Sequence, residues 1–201
     1  MIYIVTNYCH EDLDIKESDY VVGVDLGAYQ LFQNEVRIDL AIGDFDSIGK
    51  ADLEIVKKVS KKCIILDKNK DETDLEAALK TFEFNSKITI VGALKGERSD
   101  HYFNHFLLLN KYNNLDAKII DEKNEITLLK KGNHLIKKED YKYFSIFCLD
   151  SSIINVSDDF AYPLKDYEIN LYSTNCISNE LIKDDGYIEV LNGQVILVKC
   201  K

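Results

Sequence analysis

The stretch Ala41-Ile42-Gly43-Asp44-Phe45-Asp46-Ser47 decides how the chain is interpreted. An apolar run typical of a buried strand ends at Gly43, and two aspartates then follow one residue apart. In an extended turn, Asp44 and Asp46 point to the same side, where the repulsion between like charges is costly. A cation that prefers oxygen ligands, such as Mg²⁺, removes this cost. The alternative is an ordinary polar turn, because Gly, Asp and Ser are common turn residues.

Carboxylates follow other apolar runs in the first part of the chain in the same way. Strand-like runs are predicted at 1–5, 20–24, 38–42, 63–66, 88–91 and 117–120. Helical patterns alternate with them at 28–34, 50–59, 75–82 and 100–111. This alternation predicts a mostly parallel α/β sheet, with a ligand site at the carboxyl ends of its strands. The aspartates expected there are Asp25, Asp44, Asp46, Asp71, Asp74 and Asp100.

The pattern changes after residue 122. Short strand candidates follow one another without a helical period, separated by turn residues. Two turns are predicted, one at Lys131-Gly132-Asn133 and one at Asn192-Gly193, where the second is a hairpin signal between two apolar runs. We therefore expect an α/β domain over residues 1–122 and an all-β sandwich domain over residues 123–201.

Composition restricts the partners and the compartment. The formal net charge of −10 argues against binding to nucleic acid or to anionic membranes. It also disfavours a phosphate-bearing substrate unless a bound metal offsets the negative charge. No apolar run has the length of a membrane span. The chain has an odd number of cysteines, five, which lie far apart and form no C-x-x-C pair. The first residues lack the basic and apolar regions of a signal peptide. These features indicate a reduced, cytoplasmic protein.

Local patterns give further expectations for the loops and helices. Thr73 and Glu76 have capping-box spacing, so Thr73 is predicted to cap the third helix. Arg98 has the planar fork that suits phosphate oxygens, and the alternative is a surface arginine. The helix at 100–111 is apolar around most of its circumference and is expected to be buried on more than one side. His105 is expected on the surface of that helix.

Common catalytic motifs are absent from the sequence. It contains no G-x-x-x-x-G-K-[ST] and no G-x-G-x-x-G, which argues against a P-loop or a nicotinamide enzyme. It also contains no H-E-x-x-H and no G-x-S-x-G, so a zinc protease or a serine hydrolase has no support.

Taken together, the acidic motifs resemble those of the thiamine pyrophosphokinase family. The matching segments are Asp25-Leu26-Gly27-Ala28, Gly43-Asp44-Phe45-Asp46-Ser47, Lys70-Asp71-Glu72-Thr73-Asp74 and Arg98-Ser99-Asp100-His101. The likeness continues at Phe160-Ala161-Tyr162-Pro163-Leu164 and Ser178-Asn179-Glu180. Three positions depart from the family pattern: Leu26 and Glu97 replace glycines, and Tyr162 stands where some members have tryptophan.

The resemblance implies a homodimeric enzyme that moves a pyrophosphoryl group from ATP to thiamine and leaves AMP. It implies an ATP-binding and Mg²⁺-binding domain over 1–122, and a β-sandwich for thiamine binding and dimerisation over 123–201. The implied metal ligands are Asp44, Asp46 and Asp74. Arg98 is expected to bind phosphate oxygens, and either Asp71 or Asp100 to orient the hydroxyl or accept its proton. The expected substrate contacts are Asp25, Ser47, Thr73, His101, Tyr162, Ser178 and Asn179.

Two other functions remain open from the residues alone. One is a different Mg²⁺-dependent phosphohydrolase or nucleotidyltransferase on a similar acidic scaffold. The other is a non-catalytic module that binds thiamine or a nucleotide. The acidic motifs permit either alternative, and only Tyr162, Ser178 and Asn179 point to thiamine.

Overall fold

The computed structural model describes residues 1–6, 13–94 and 98–201. The chain divides into two compact units, Met1–Asp121 and Glu122–Lys201. Each unit has an apolar cluster of its own. Glu97, one of the three departures from the family pattern, lies outside the described residues.

The first unit is a parallel sheet with helices between its strands. The strands are β1 (Ile2–Val5), β2 (Tyr20–Val24), β3 (Ile38–Gly43), β4 (Ser60–Ile65), β5 (Lys87–Val91) and β6 (Asp116–Ile120). The helices are α1 (Leu26–Gln33), α2 (Lys50–Val59), α3 (Asp74–Leu79) and α4 (Ser99–Lys111). Every strand pairing within the unit is parallel, in the order β6-β5-β1-β2-β3-β4. The predicted parallel α/β sheet is confirmed.

The strand order creates a switch point beside β1. From β1 the chain adds β2, β3 and β4 on one side, and then returns to place β5 and β6 on the other. In open α/β sheets, ligands bind in the crevice at such a switch point, outside the carboxyl ends of the strands. All six residues of β3 are buried, so this strand is a fixed base for the residues that follow it.

The second unit is built from antiparallel strands. They are β7 (Asn124–Lys137), β8 (Tyr143–Phe147), β9 (Ser151–Val156), β10 (Leu164–Asn170) and β11 (Asp185–Cys200). The long strand β11 pairs with β7 along its length, with β9 near its start and with β8 near its end. Side chains from all five strands join one buried apolar cluster. A β-rich second unit is confirmed.

Both turns predicted in the second unit are wrong. β7 continues through Gly132, and β11 continues through Asn192 and Gly193. The register of β11 against β7 shifts between Val190 and Gln194, so the Asn-Gly pair marks a bulge and not a hairpin turn. Gly193 has φ +78°, and a Cβ there would lie 2.4 Å from the Ser152 Oγ atom. Glycine is therefore required by backbone conformation and by close approach.

The helices of the first unit differ from expectation at α3 and α4. α3 ends at Leu79, three residues before the predicted end. α4 buries Leu108 and Leu109 but leaves Phe103 73% exposed, so the expectation of burial on more than one side is wrong. Among the helices of the described residues, none is long and apolar enough to span a membrane.

Candidate active site

A cavity of about 410 Å³ opens at the carboxyl ends of the first unit's strands. Its wall comes from the ends of β1, β2 and β3 and from the segments around the starts of α3 and α4. Its lining includes eight of the predicted site residues: Asp25, Asp44, Asp46, Ser47, Thr73, Asp74, Arg98 and His101. Asp71 and Asp100 have exposed side chains and are not among the described lining residues.

Asp25 is held at the end of β2 in an unusual conformation. Its φ is +50°, and α1 begins at the next residue. Gly27 allows this tight entry, because a Cβ there would lie 1.8 Å from the Thr6 carbonyl oxygen. The Asp25 Oδ2 atom accepts a hydrogen bond from the Ser47 hydroxyl at 2.5 Å. The Oδ1 atom is buried and has no hydrogen-bond partner among the described residues.

This carboxyl group is in an unfavourable environment for its charge. Burial raises the pKa of Asp25, and the nearby carboxylate of Asp74 raises it further against the hydrogen bond from Ser47. A buried carboxylate oxygen without a partner is costly unless something else supplies positive charge. A cation or a further hydrogen-bond donor at the Oδ1 atom would therefore stabilise the charged form of Asp25.

Phe45 fixes the spacing of the two aspartates beside it. Its side chain is buried in the apolar cluster of the first unit, and its φ is +55°. The two aspartates on either side of Phe45 are linked to each other, because the Asp46 N–H donates to the Asp44 Oδ1 atom at 3.1 Å. Asp25, Asp44 and Asp46 each offer a carboxylate oxygen, and these oxygens all lie within 4.8 Å of one another. A set made only of carboxylate oxygens, one of them unpartnered, fits Mg²⁺.

Lys70 brings positive charge into the same cluster. Its Nζ atom lies 3.0 Å from Asp74 Oδ1 and 3.4 Å from Asp44 Oδ2. Burial alone would raise the pKa of Asp44, but the Asp46 N–H and the Lys70 ammonium outweigh it and lower that pKa. Asp74 is therefore paired with Lys70, and among the described residues it is not part of the three-carboxylate group.

Thr73 is confirmed as the cap of α3. Its Oγ1 atom accepts a hydrogen bond from the Glu76 N–H at 3.3 Å. The Glu76 carboxylate turns away from this cap, because its Oε1 atom accepts from Lys111 Nζ at 2.6 Å and from the Tyr112 hydroxyl at 2.8 Å. The capping-box spacing thus predicted one half of the motif, while the other half links α3 to the end of α4.

Arg98 and Asp100 form a two-point pair at the start of α4. Arg98 Nε lies 3.2 Å from Asp100 Oδ1, and a terminal guanidinium nitrogen lies 2.5 Å from Oδ2. The guanidinium holds the pKa of Asp100 below its usual range. Both side chains are exposed, so this pair is accessible to an incoming phosphate.

His105 lines the cavity, and the expectation of a surface histidine is wrong. Its Nδ1 atom lies 2.7 Å from the Ala93 carbonyl oxygen, in hydrogen-bond contact. Burial lowers the pKa of His105, so the ring is neutral near pH 7. Its ring lies 6.1 Å from that of His101, centroid to centroid.

In the second unit, Asn179 fixes the main chain of Tyr162. The Tyr162 N–H donates to Asn179 Oδ1 at 3.0 Å, and Asn179 Nδ2 donates to the Tyr162 carbonyl at 2.8 Å. The same Oδ1 atom also accepts from the Glu180 N–H at 2.9 Å. Ser178 is held beside them with φ +57°, and its N–H donates to Ser145 Oγ at 2.9 Å. The amide of Asn179 thus orders the backbone while the Tyr162 side chain stays 68% exposed.

Comparison with known proteins identifies the family. Residues 12–120 match the model of the thiamin pyrophosphokinase catalytic domain, and residues 133–195 match that of the thiamin pyrophosphokinase vitamin B1 binding domain. A thiamine pyrophosphokinase of Bacillus subtilis (strain 168) is 32% identical over 183 residues, covering 89% of this chain and 86% of that protein. The chain belongs to the thiamine pyrophosphokinase family.

Solved structures of thiamine pyrophosphokinases share the fold. A crystal structure from Bacillus subtilis gives a TM-score of 0.86 at 30% identity and covers 100% of this chain and 98% of that one. One from Geobacillus thermodenitrificans gives 0.85 at 30% identity and covers 100% and 97%. A family protein from Enterococcus faecalis gives 0.87 at 26% identity and covers 100% and 98%.

The family assignment makes this chain an enzyme, a transferase that acts on thiamine with ATP. The carboxylate cavity lies within the stretch that matches the thiamine pyrophosphokinase catalytic domain. The segment around Tyr162 and Asn179 lies within the vitamin B1 binding-domain match.

Several residues of the candidate site were not predicted as site residues from the sequence. The sequence does offer a clue for Lys70: it precedes Asp74 by four residues, a spacing at which the two side chains can form an ion pair. Asn104 and His105 lie three and four residues after His101, which puts them on the same face of α4. Phe45 could have been noticed as one apolar residue between two carboxylates.

Proposed function

We propose that the enzyme transfers the pyrophosphoryl group of ATP to the hydroxyl of thiamine at the carboxylate cavity, and that Mg²⁺ is held there. The products are thiamine diphosphate and AMP. The observation that carries this proposal is the buried, unpartnered Oδ1 atom of Asp25 among three carboxylates. Such a group calls for a cation, and phosphoryl-group transfer is chemistry that needs one.

Asp25, Asp44 and Asp46 are the proposed metal ligands in this arrangement. When bound, Mg²⁺ neutralises charge on the phosphate oxygens and helps to align the β-phosphorus with its attacker. Asp74 was predicted as a ligand, and it becomes available only when Lys70 moves away from it. With Mg²⁺ on the three carboxylates, the cavity would present less negative charge to the triphosphate.

The remaining cavity residues bind and orient the substrates. The Arg98 guanidinium exchanges Asp100 for phosphate oxygens, which its planar fork matches. Once released, the Asp100 carboxylate is one candidate to orient the thiamine hydroxyl or accept its proton, and Asp71 is the other. Ser47, Thr73 and His101 line the cavity and supply polar contacts.

The second unit is proposed to receive the thiamine rings. The thiazolium of thiamine is cationic, and the exposed Tyr162 ring offers the aromatic face that attracts a cation. Ser178 and Asn179 lie next to that ring's backbone, and Asn179 acts by ordering it. The homodimer is supported by the family resemblance, and the cytoplasmic location by cysteine usage.

The decisive test is incubation of the protein with ATP, Mg²⁺ and thiamine, with separation of the products by chromatography. We expect AMP and thiamine diphosphate in equal amounts, and neither when Mg²⁺ is removed with EDTA. AMP formed without thiamine would favour the phosphohydrolase alternative. A thermal shift with thiamine but no turnover would favour the binding module.

A further inference from the structure

Lys70 lines the cavity, and the proposed reaction gives it no role. Its side chain is 15% exposed and bridges Asp44 and Asp74, which are themselves mostly buried. An ammonium taken out of water in this way is costly unless carboxylates compensate it. The pairing is therefore mutual: Lys70 needs the two carboxylates, and without another cation they need Lys70.

Lys68 provides an internal comparison. Its Nζ atom lies 3.6 Å from Asp46 Oδ2, but the side chains are 64% and 56% exposed. Water and salt screen an exposed pair of this kind, and it contributes little. Two lysines thus approach the same acidic cluster, and only Lys70 is held within it.

The position of Lys70 conflicts with a divalent cation on Asp44. A carboxylate oxygen that faces an ammonium at 3.4 Å cannot give its full charge to a metal as well. The ammonium and the metal also repel each other in a partly buried site, where screening is weak. The two cations therefore compete for the same carboxylate.

We propose that Lys70 is an internal counter-cation that competes with the metal, neutralising Asp44 and Asp74 in the metal-free protein and leaving them when the metal binds. This inference rests on the proposed metal site. It explains why Asp74 is paired with lysine and stands apart from the three-carboxylate group. It also gives Lys70 a measurable function: it lowers the metal affinity of the enzyme before nucleotide arrives, and it stabilises the metal-free fold.

The first experiment measures metal binding without nucleotide. Mn²⁺ replaces Mg²⁺ because its free concentration can be followed by electron paramagnetic resonance. The wild type is compared with Lys70→Gln, Lys68→Gln and Asp46→Asn. We expect Lys70→Gln to bind Mn²⁺ about tenfold more tightly, as removal of one repelling charge in a partly buried site predicts. Lys68→Gln should stay within about twofold, because its pair is screened.

Asp46→Asn separates the two proposals. It should weaken Mn²⁺ binding by at least about tenfold, because it removes a ligand carboxylate. If Asp46→Asn leaves Mn²⁺ binding unchanged, the metal site itself is wrong. If Asp46→Asn weakens binding but Lys70→Gln binds no more tightly than the wild type, the metal site stands and the role of Lys70 is overturned.

The second experiment excludes a merely structural role for Lys70. In EDTA, Lys70→Gln should melt about 3 °C below the wild type, because two carboxylates lose their counter-charge. At saturating Mg²⁺ the two melting temperatures should coincide, since the metal then supplies that charge in both proteins. A deficit of the same size with and without Mg²⁺ would mean that Lys70 only packs, and would overturn the inference.

Discussion

The carboxylate cavity of the first unit and the Tyr162 segment of the second hold their functional groups in opposite ways. In the cavity, partly buried charges share counter-ions, and one oxygen of Asp25 has no hydrogen-bond partner. In the second unit, neutral hydrogen bonds from Asn179 order the backbone, and the aromatic ring of Tyr162 is left in solvent.

This difference follows from the chemistry proposed for each region. Charge neutralisation works best where water is excluded, so the carboxylates must be partly buried and must accept an unfavourable metal-free state. Stacking on a ring requires only that the ring be in place, so the supporting structure can be neutral. Substitutions in the cavity should therefore change kcat, whereas substitutions around Tyr162 should change the KM for thiamine.

The largest effect is expected for Asp46→Asn. Loss of a ligand carboxylate removes several kcal/mol of transition-state stabilisation by the metal, which corresponds to a fall in kcat of roughly a thousandfold. The matched control is Asp67→Asn, which also follows a strand but caps a turn, accepting from the Asn69 N–H at 2.8 Å. Product formation and circular dichroism should show activity lost only in Asp46→Asn, with both proteins folded. Near-normal turnover by Asp46→Asn would remove the cavity from the mechanism.

Tyr162→Ala should have the next largest effect. Loss of a cation–π contact of about 1–2 kcal/mol raises the KM for thiamine by roughly tenfold and leaves the KM for ATP unchanged. Tyr172→Ala is the control, because Tyr172 is also an exposed tyrosine of the second unit. Steady-state kinetics with each substrate varied in turn would check this. Equal changes in the KM for ATP and the KM for thiamine would contradict the proposal that the Tyr162 segment binds thiamine and not ATP.

Asn179→Ala tests whether ordering the Tyr162 backbone matters. We expect the KM for thiamine to rise about threefold to fivefold, less than in Tyr162→Ala, because the ring remains but its position is less restricted. The double variant should be no worse than Tyr162→Ala alone, since Asn179 acts through that ring. Additive effects of the two substitutions would show instead that Asn179 contacts thiamine independently.

How much the sequence predicted differs between the two regions for a physical reason. In the first unit, an apolar run followed by a carboxylate identified the ends of β2 and β3, so Asp25, Asp44 and Asp46 were expected at one edge of the sheet. The bridging role of Lys70 was not predictable in the same way. It depends on a contact with Asp44, 26 residues earlier, which no local pattern reveals.

In the second unit, Gly193 led to the wrong prediction of a hairpin turn. Asn192-Gly193 has the composition of a hairpin turn, but the strand continues and the glycine accommodates Ser152 from a neighbouring strand. A positive φ at a bulge and a positive φ at a turn place the same demand on the residue. Only the partner strand distinguishes them, and it lies about forty residues away in the chain.

The smallest effect is expected at Glu76, a buried residue of α3. Hydrogen bonds from Lys111 and Tyr112 lower the pKa of Glu76 in the folded protein below its ordinary value of 4.5. A carboxyl group whose pKa is lower in the folded than in the unfolded protein contributes its full stabilisation at pH values above the unfolded pKa. This contribution is lost as the pH falls through the pKa of the folded protein. Glu76→Gln should therefore cost about 1 kcal/mol at pH 7 and progressively less below pH 4.5, as measured by urea unfolding. A cost that is independent of pH would mean that packing of the side chain, and not its charge, links α3 to α4.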